Sequence, residues 1–154
     1  MERVKTHVGA YGIVVKDNKI ALIKKARGGY KGKLDLPGGG IEHTETPEET
    51  LKRELKEEID AEVVSYELFD VSATNIKWEI ECDVWEDLHH IGILYKADIN
   101  TDKLRVEPDG LDSEGANWYE VDSLREEELS PFANFVLKKI RKWDKTGFFK
   151  VFVI

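Results

Sequence analysis

The stretch from Thr46 to Ile59 constrains this chain more than any other. Thr46 is placed to cap a helix, Pro47 fits the first helical position, and Glu49 completes an S/T-x-x-E capping box. Regular apolar spacing continues to about Ile59 and ends at Asp60. Inside this helix Glu54, Glu57 and Glu58 fall at i, i+3 and i+4 and share one face, beside the apolar Leu55 and Ile59 and apart from Lys52 and Lys56. Each like-charged helical pair costs about 0.2–0.5 kcal/mol. Either the face is simply solvated, as on most Glu-rich helices, or divalent cations bridge it. An oxygen-only donor set selects hard ions, Mg²⁺ or Mn²⁺, over zinc or copper.

Ahead of the helix, Pro37-Gly38-Gly39-Gly40 stops a short strand at Leu34-Asp35-Leu36 and lets backbone approach a ligand closely. Val8 to Val15 and Ile20 to Ile23 read as a hairpin closed by Lys16-Asp17-Asn18-Lys19. Arg27 to Lys33 is a glycine-containing basic loop. Strands are expected at Val63 to Val71, Ile76 to Val84, His89 to Ala97 and Asn117 to Val121. Pro131 to about Trp143 carries Phe132, Phe135, Val136, Leu137 and Ile140 at helical spacing. Phe148 to Ile154 reads as a final strand or a tail covered by a partner. Many strands with two helices give an α/β or α+β class built on a mixed sheet.

Composition removes several functions. The 154 residues carry 23 Lys+Arg against 31 Asp+Glu, a net charge of −8, which argues against sequence-independent nucleic-acid binding. Cys82 is the one cysteine, so neither an intrachain disulfide nor a Cys-cluster zinc site can form, and packing is its expected role. No run approaches the roughly 18 apolar residues of a membrane span, and the start Met1-Glu2-Arg3-Val4-Lys5 lacks an apolar signal core. A single cytoplasmic domain over 1–154 without membrane association is expected. His89 and His90 fall on opposite strand faces and cannot form one chelate, while His7 and His43 stand alone, so no histidine-based catalysis is expected.

Taken together, Gly39-x5-Glu45-x7-Arg53-Glu54-Leu55-x-Glu57-Glu58 resembles the Nudix box of the Nudix hydrolases, with the box spanning 39–61. With 12 Gly among 154 residues and Glu and Arg at their observed frequencies, this spacing arises by chance about once in ten thousand such chains. Thr44 and Asp60 stand where the family commonly has glycine, and Ala61 where it has a larger aliphatic residue. The departure at Asp60 bears on local stability, since Asp tolerates a left-handed helix end better than most residues.

The resemblance implies an α/β/α sandwich with a central mixed sheet and helices on both sides. It implies Mg²⁺-dependent (or Mn²⁺-dependent) attack of water on the pyrophosphate of a nucleoside diphosphate linked to another moiety. The small nucleotide would be a nucleoside triphosphate, a nucleotide sugar or a dinucleoside polyphosphate; a nucleotide-sensing module without turnover is the alternative. Carried onto this chain, Glu54, Glu57 and Glu58 with the Gly38 carbonyl are the metal ligands, Arg53 orients them, and Glu45 is a supporting or metal residue. Glu54 or a later acid is the general base, with Glu114 placed first and Asp112 and Glu107 behind it. For substrate, Arg27, Lys31, Lys33, Gly39 and Gly40 would meet phosphates, and Tyr30 and Trp85 would stack on a base. Trp118 and Trp143 are assigned to packing, and the assembly is expected to be a monomer or homodimer.

Overall fold

The computed structural model describes residues 1–146, and of the last five of these only the backbone is considered. Helix α1 (Pro47–Ile59) starts as its caps dictate: Glu49 N–H donates to Thr46 Oγ1 at 3.2 Å, and Thr46 N–H donates to Glu49 Oε1 at 3.3 Å. It ends at Asp60, which takes the left-handed conformation at φ 55° and sends its N–H to the Leu55 carbonyl. Lys56 Nζ pairs with Asp60 at 3.0 Å, so the residue in the usual glycine position is held by a charge partner.

Two sheets lie between two helices. The first has the order β5 (Gly38–Gly40), β1 (Glu2–Ile13), β7 (Val84–Ile99), β6 (Val63–Glu81). It is mixed, because β1 and β7 run parallel while its other neighbours are antiparallel. In the second, β3 (Lys19–Lys25) pairs with β2 (Val15–Lys16), β4 (Leu34–Asp35) and β8 (Ser113–Glu120). Alternate residues of β3 serve different cores, as the two-residue strand period requires. Ala21 and Ile23 pack with Leu51, Leu55 and Ile59 of α1. Ile20 and Leu22 pack with Phe132, Val136 and Leu137 of α2 (Pro131–Thr146).

Several expected boundaries change. The strands expected at Val63–Val71 and Ile76–Val84 are one continuous β6, in register with β7 from Val63↔Ile99 to Glu81↔Val84 with three irregularities. As a sheet edge with one solvated side, β6 tolerates the polar run Ser72 to Asn75 that had read as a break. The turn falls at Cys82-Asp83, with Asp83 at φ 57°, so Cys82 is exposed and does not pack. The hairpin turn at Asp17-Asn18 forms with both φ positive, but it joins β2 to β3. β1 instead begins at Glu2, because β7 offers it a parallel partner from Trp85 onward. β8 starts at Ser113, before the expected Asn117. The glycine turn is itself a strand, with Gly40, Gly39 and Gly38 opposite Gly9, Ala10 and Tyr11.

Trp118 is partly buried against the α1 core and its Nε1 donates to the Asp102 carbonyl at 2.7 Å. The Trp143 side chain and the segment from Phe148 to Ile154 lie outside the described residues. Among the described residues, no helix is long and apolar enough to cross a membrane.

Candidate active site

Strand β5 pairs with β1 and lies against α1 at Arg53, Glu54 and Glu58, which brings the glycines under the acidic face. Gly38 has φ +149°, and a Cβ there would stand 2.2 Å from the Ala10 carbonyl oxygen, so only glycine fits. A Cβ on Gly39 would stand 2.5 Å from Glu54 Oε1, which places the Glu54 carboxylate directly on the strand.

Arg53 organises the acids. Its Nε and Nη2 clamp Glu45 at 2.7 and 2.8 Å, its Nη1 reaches Glu54 at 2.8 Å and Glu57 at 3.4 Å, and Nη2 also donates to the Gly40 carbonyl at 3.2 Å. The guanidinium beside it holds the Glu45 carboxyl down at about 2, helped by the Glu42 N–H. Thr50 Oγ1 donates to the same carboxylate at 2.9 Å. Such bidentate pairing is the strongest form of Arg–carboxylate contact. Thr44, before Glu45, sits at φ 71°, the conformation that favours glycine there.

Glu58 differs from its neighbours. It is 4% exposed, and its Oε1 accepts the Gly38 N–H at 3.0 Å. Its Oε2 is buried with no hydrogen-bond partner. Burial drives this carboxyl well above the ordinary range, with the charge of Glu54 adding to the effect. Burial also raises Glu54, against the opposing pull of Arg53. Glu57 remains exposed at the rim. An orphaned buried carboxylate oxygen beside two further carboxylates and a backbone carbonyl suits a hard divalent cation in both chemistry and charge. Among the described residues no three acids or imidazoles already stand at coordinating distance. Arg53 Nη1 bridges Glu54 and Glu57.

The three loop acids have different surroundings. Glu114 pairs with Lys24 at 3.9 Å, on the side of β3 that carries Ile20 and Leu22 toward α2 and away from α1. Asp112 instead lies within electrostatic reach of Glu54, and it pairs with Arg27 at 2.6 Å. Glu107 is exposed in the preceding loop. Asp112 and Glu114 lie two residues apart on the approach to β8, where no regular strand period applies.

Among the expected substrate residues, Arg27 is exposed and pairs with Asp112. Tyr30 does not offer a free face: it is 8% exposed, its ring stacks on His90 at 5.7 Å and 17°, and its hydroxyl meets His90 Nδ1 at 3.0 Å. Trp85 lies opposite Glu2, seven residues along β7 from the Gly92 that faces Gly9, hence about 23 Å from the glycine strand at ~3.3 Å per residue. Lys31 and Lys33 line a separate open groove of about 460 Å³ with Lys24, Tyr119, Glu127 and Glu128. Lys33 Nζ bonds the Glu127 carbonyl there.

The structure also assembles side chains that had seemed isolated. Parallel pairing of β1 with β7 sets His7 against His90, with ring centroids 5.1 Å apart. His90 is buried, and Tyr11 and Tyr30 occupy its Nε2 and Nδ1 at 2.7 and 3.0 Å. Burial, with Lys25 and His7 nearby, lowers it to about 3, so it is neutral. A parallel pairing across 83 positions, His7 to His90, leaves no local sequence signal.

The NUDIX domain family model matches residues 5–142. An ADP-ribose pyrophosphatase from Methanocaldococcus jannaschii is 53% identical over 51 residues, which are 33% of this chain and 30% of that protein. An 8-oxo-dGTP diphosphatase from Proteus vulgaris is 36% identical over 47% of this chain and 66% of its own length. The matched part of this chain thus spans about a third of the first relative and about two thirds of the second. The crystal structure of a MutT NUDIX hydrolase from Burkholderia pseudomallei superposes with a TM-score of 0.70 at 27% identity, covering 87% of this chain and 97% of that one. The NUDIX domain of Shewanella oneidensis NrtR, solved with ADP ribose, shares the fold at TM-score 0.60 and 18% identity, over 89% and 86% of the two chains.

Proposed function

The chain belongs to the Nudix family, and on that premise we propose that it hydrolyses a pyrophosphate bond in a nucleoside diphosphate linked to another moiety, using Mg²⁺ or Mn²⁺ in the cytoplasm. The observation that carries this reading is Glu58 Oε2, a buried carboxylate oxygen with no hydrogen-bond partner at the edge of an acidic cluster. Glu54, Glu57 and Glu58, with the Gly38 carbonyl, would hold the cation. A divalent ion bound there supplies charge neutralisation for the phosphates and a more acidic water.

The remaining roles belong to the chain itself. Arg53 keeps Glu45 ionised and fixes Glu54 against Gly39. Glu54, whose carboxyl burial raises above the ordinary range, would serve as the proton acceptor where it does not ligate the cation. It takes a proton from water as the water oxygen bonds to phosphorus and the bridging P–O bond breaks, giving a nucleoside monophosphate and the phosphorylated moiety. Asp112, tethered by Arg27, is the acid available from the loop side. The relatives support this reading by name, as an ADP-ribose pyrophosphatase and an 8-oxo-dGTP diphosphatase.

The test is incubation with Mg²⁺ and a panel of nucleoside triphosphates, oxidised nucleotides, nucleotide sugars and dinucleoside polyphosphates, with products separated by chromatography. Turnover that disappears in Glu58→Gln is the expected result. Silence across the panel with nucleotide binding retained would replace hydrolysis by nucleotide sensing.

A further inference from the structure

One strand of the first sheet has a free side. β6 is outermost in the order β5, β1, β7, β6, so one row of its backbone groups meets no neighbouring strand among the described residues. Along its distal part Lys77, Glu79 and Glu81 stand exposed, and charges of this kind keep a bare edge from pairing. The proximal stretch, 65–71, is different. Tyr66 lies opposite Ala97, Leu68 opposite Tyr95 and Val71 opposite Ile93. These partners step by two along β7, so the three residues share one face despite the register shift between Leu68 and Asp70. They are 42%, 59% and 53% exposed. Glu67 points to the other face, exposed and without an ion pair among the described residues.

The chain carries a segment suited to this stretch. α2 advances in the sense of β7: Phe132 sits at Gly92, where a Cβ would stand 2.7 Å from its ring, and Lys139 pairs with Asp70, opposite Leu94. From Lys139 the helix continues to Thr146, about 10 Å further on, toward the Tyr66 end of the bare stretch. Gly147 follows, a residue type suited to reversing the chain after a helix. A chain reversed there runs parallel to β6. The next residues, Phe148-Phe149-Lys150-Val151-Phe152-Val153-Ile154, are rich in strand formers. Seven extended residues span about 23 Å, and the stretch 65–71 needs about 20 Å. With Phe149 beside Tyr66, Val151 falls beside Leu68 and Lys150 beside Glu67, so one register matches apolar neighbours and opposite charges together.

We propose that segment 148–154 docks on the free edge of β6 in its own chain, along 65–71 and with Lys150 against Glu67. The surface is thus an internal docking site, and its occupant closes an edge that would otherwise template pairing with other chains. A segment joined directly to α2 meets this edge at the high effective concentration of a short tether, which favours its own chain over a second copy. β6 and the glycine strand β5 are the two opposite edges of the sheet, so the docking surface is separate from the acidic cluster.

The experiment is hydrogen exchange of the full chain, read by mass spectrometry on peptides covering 65–71 and 148–154, with light scattering to give the mass in solution. The expected parent is a monomer in which both peptides exchange at least about tenfold more slowly than unstructured chain. Val151→Asp should speed exchange of 65–71 about tenfold, and Leu68→Asp should do the same for 148–154. Peptides from α1 should keep the parent's rate in each variant, which controls for folding. Glu67→Lys should speed both peptides, and adding Lys150→Glu should return both to within about twofold of the parent, a rescue that a merely weakened strand would not show. Failure of that rescue would overturn the pairing of Lys150 with Glu67. A segment 148–154 at the unstructured rate in the parent, or a stretch 65–71 indifferent to Val151→Asp, would overturn the docking itself. A dimer that Val151→Asp dissociates while exposing 65–71 would replace the same-chain occupant by a second copy.

Discussion

Replacing Glu58 by Gln should stabilise the metal-free protein while abolishing its activity. Glu58 is 4% exposed, has one hydrogen bond from Gly38 and leaves Oε2 unpaired. A buried polar atom without a partner costs about 1–3 kcal/mol, and more when it is charged. The glutamine carbonyl retains the Gly38 bond, and its neutral amide removes the charge that the ionised carboxylate carries, so the gain where Glu58 is ionised should be about 1–2 kcal/mol. For a domain of this size that corresponds to a Tm higher by about 3–6 °C.

The pH dependence has a definite sign. Burial places the folded-state pKa of Glu58 above its unfolded value. Below the ordinary glutamate pKa, about 4.3, both states are protonated and the native carboxyl carries no penalty. As the pH rises toward the raised folded value, the unfolded chain releases its proton first and the parent protein loses stability. The Gln variant feels none of this. Its advantage should therefore be larger at pH 8 than at pH 4, where it should be close to zero. Mg²⁺ should reverse the order: at about a hundred times Kd the parent gains about 2.7 kcal/mol by linkage, more than the advantage of the variant, which gains nothing. Thermal and urea unfolding at the two pH values, with EDTA or with Mg²⁺, measures all of these. A variant less stable than its parent at pH 8 in EDTA would refute the account of Glu58 as an uncompensated acid.

Other perturbations give different signatures. Glu57→Gln, at the exposed rim, should raise the Mg²⁺ concentration needed for half-maximal turnover, and an unchanged metal titration would exclude it from the ligand set. Asp112→Asn should lower activity, whereas Glu114→Gln should keep activity within about twofold and stability within ~0.5 kcal/mol, because Glu114 makes only an exposed pair with Lys24. Gly38→Ala would press a Cβ to 2.2 Å from the Ala10 carbonyl at a positive φ, so chemical denaturation should register a loss of at least about 2 kcal/mol. Thr46→Ala removes the capping box and should cost about 1 kcal/mol in the same assay.

The helix and its acids were legible in the sequence because their determinants are local. Thr46, Pro47 and Glu49 fix where α1 begins, Asp60 fixes where it ends, and the 3.6-residue period places Glu54 and Glu58 on one side whatever surrounds them. The spacing from Gly39 to Glu58 similarly needs only one strand, one turn and one helix. The turn at Asp17-Asn18 was readable for the same reason, since two residues tolerant of positive φ suffice to specify it. Tertiary structure decided everything that depends on which distant segments pair. β6 became one long strand because β7 was available along its whole length. Parallel alignment of β1 with β7 turned a lone His7 into the neighbour of His90 and of the glycine strand. On the approach to β8, packing paired Asp112 with Arg27 and Glu114 with Lys24. Strand periodicity states which residues share a face but not what that face meets, and the partner of a face is a property of the whole chain's packing.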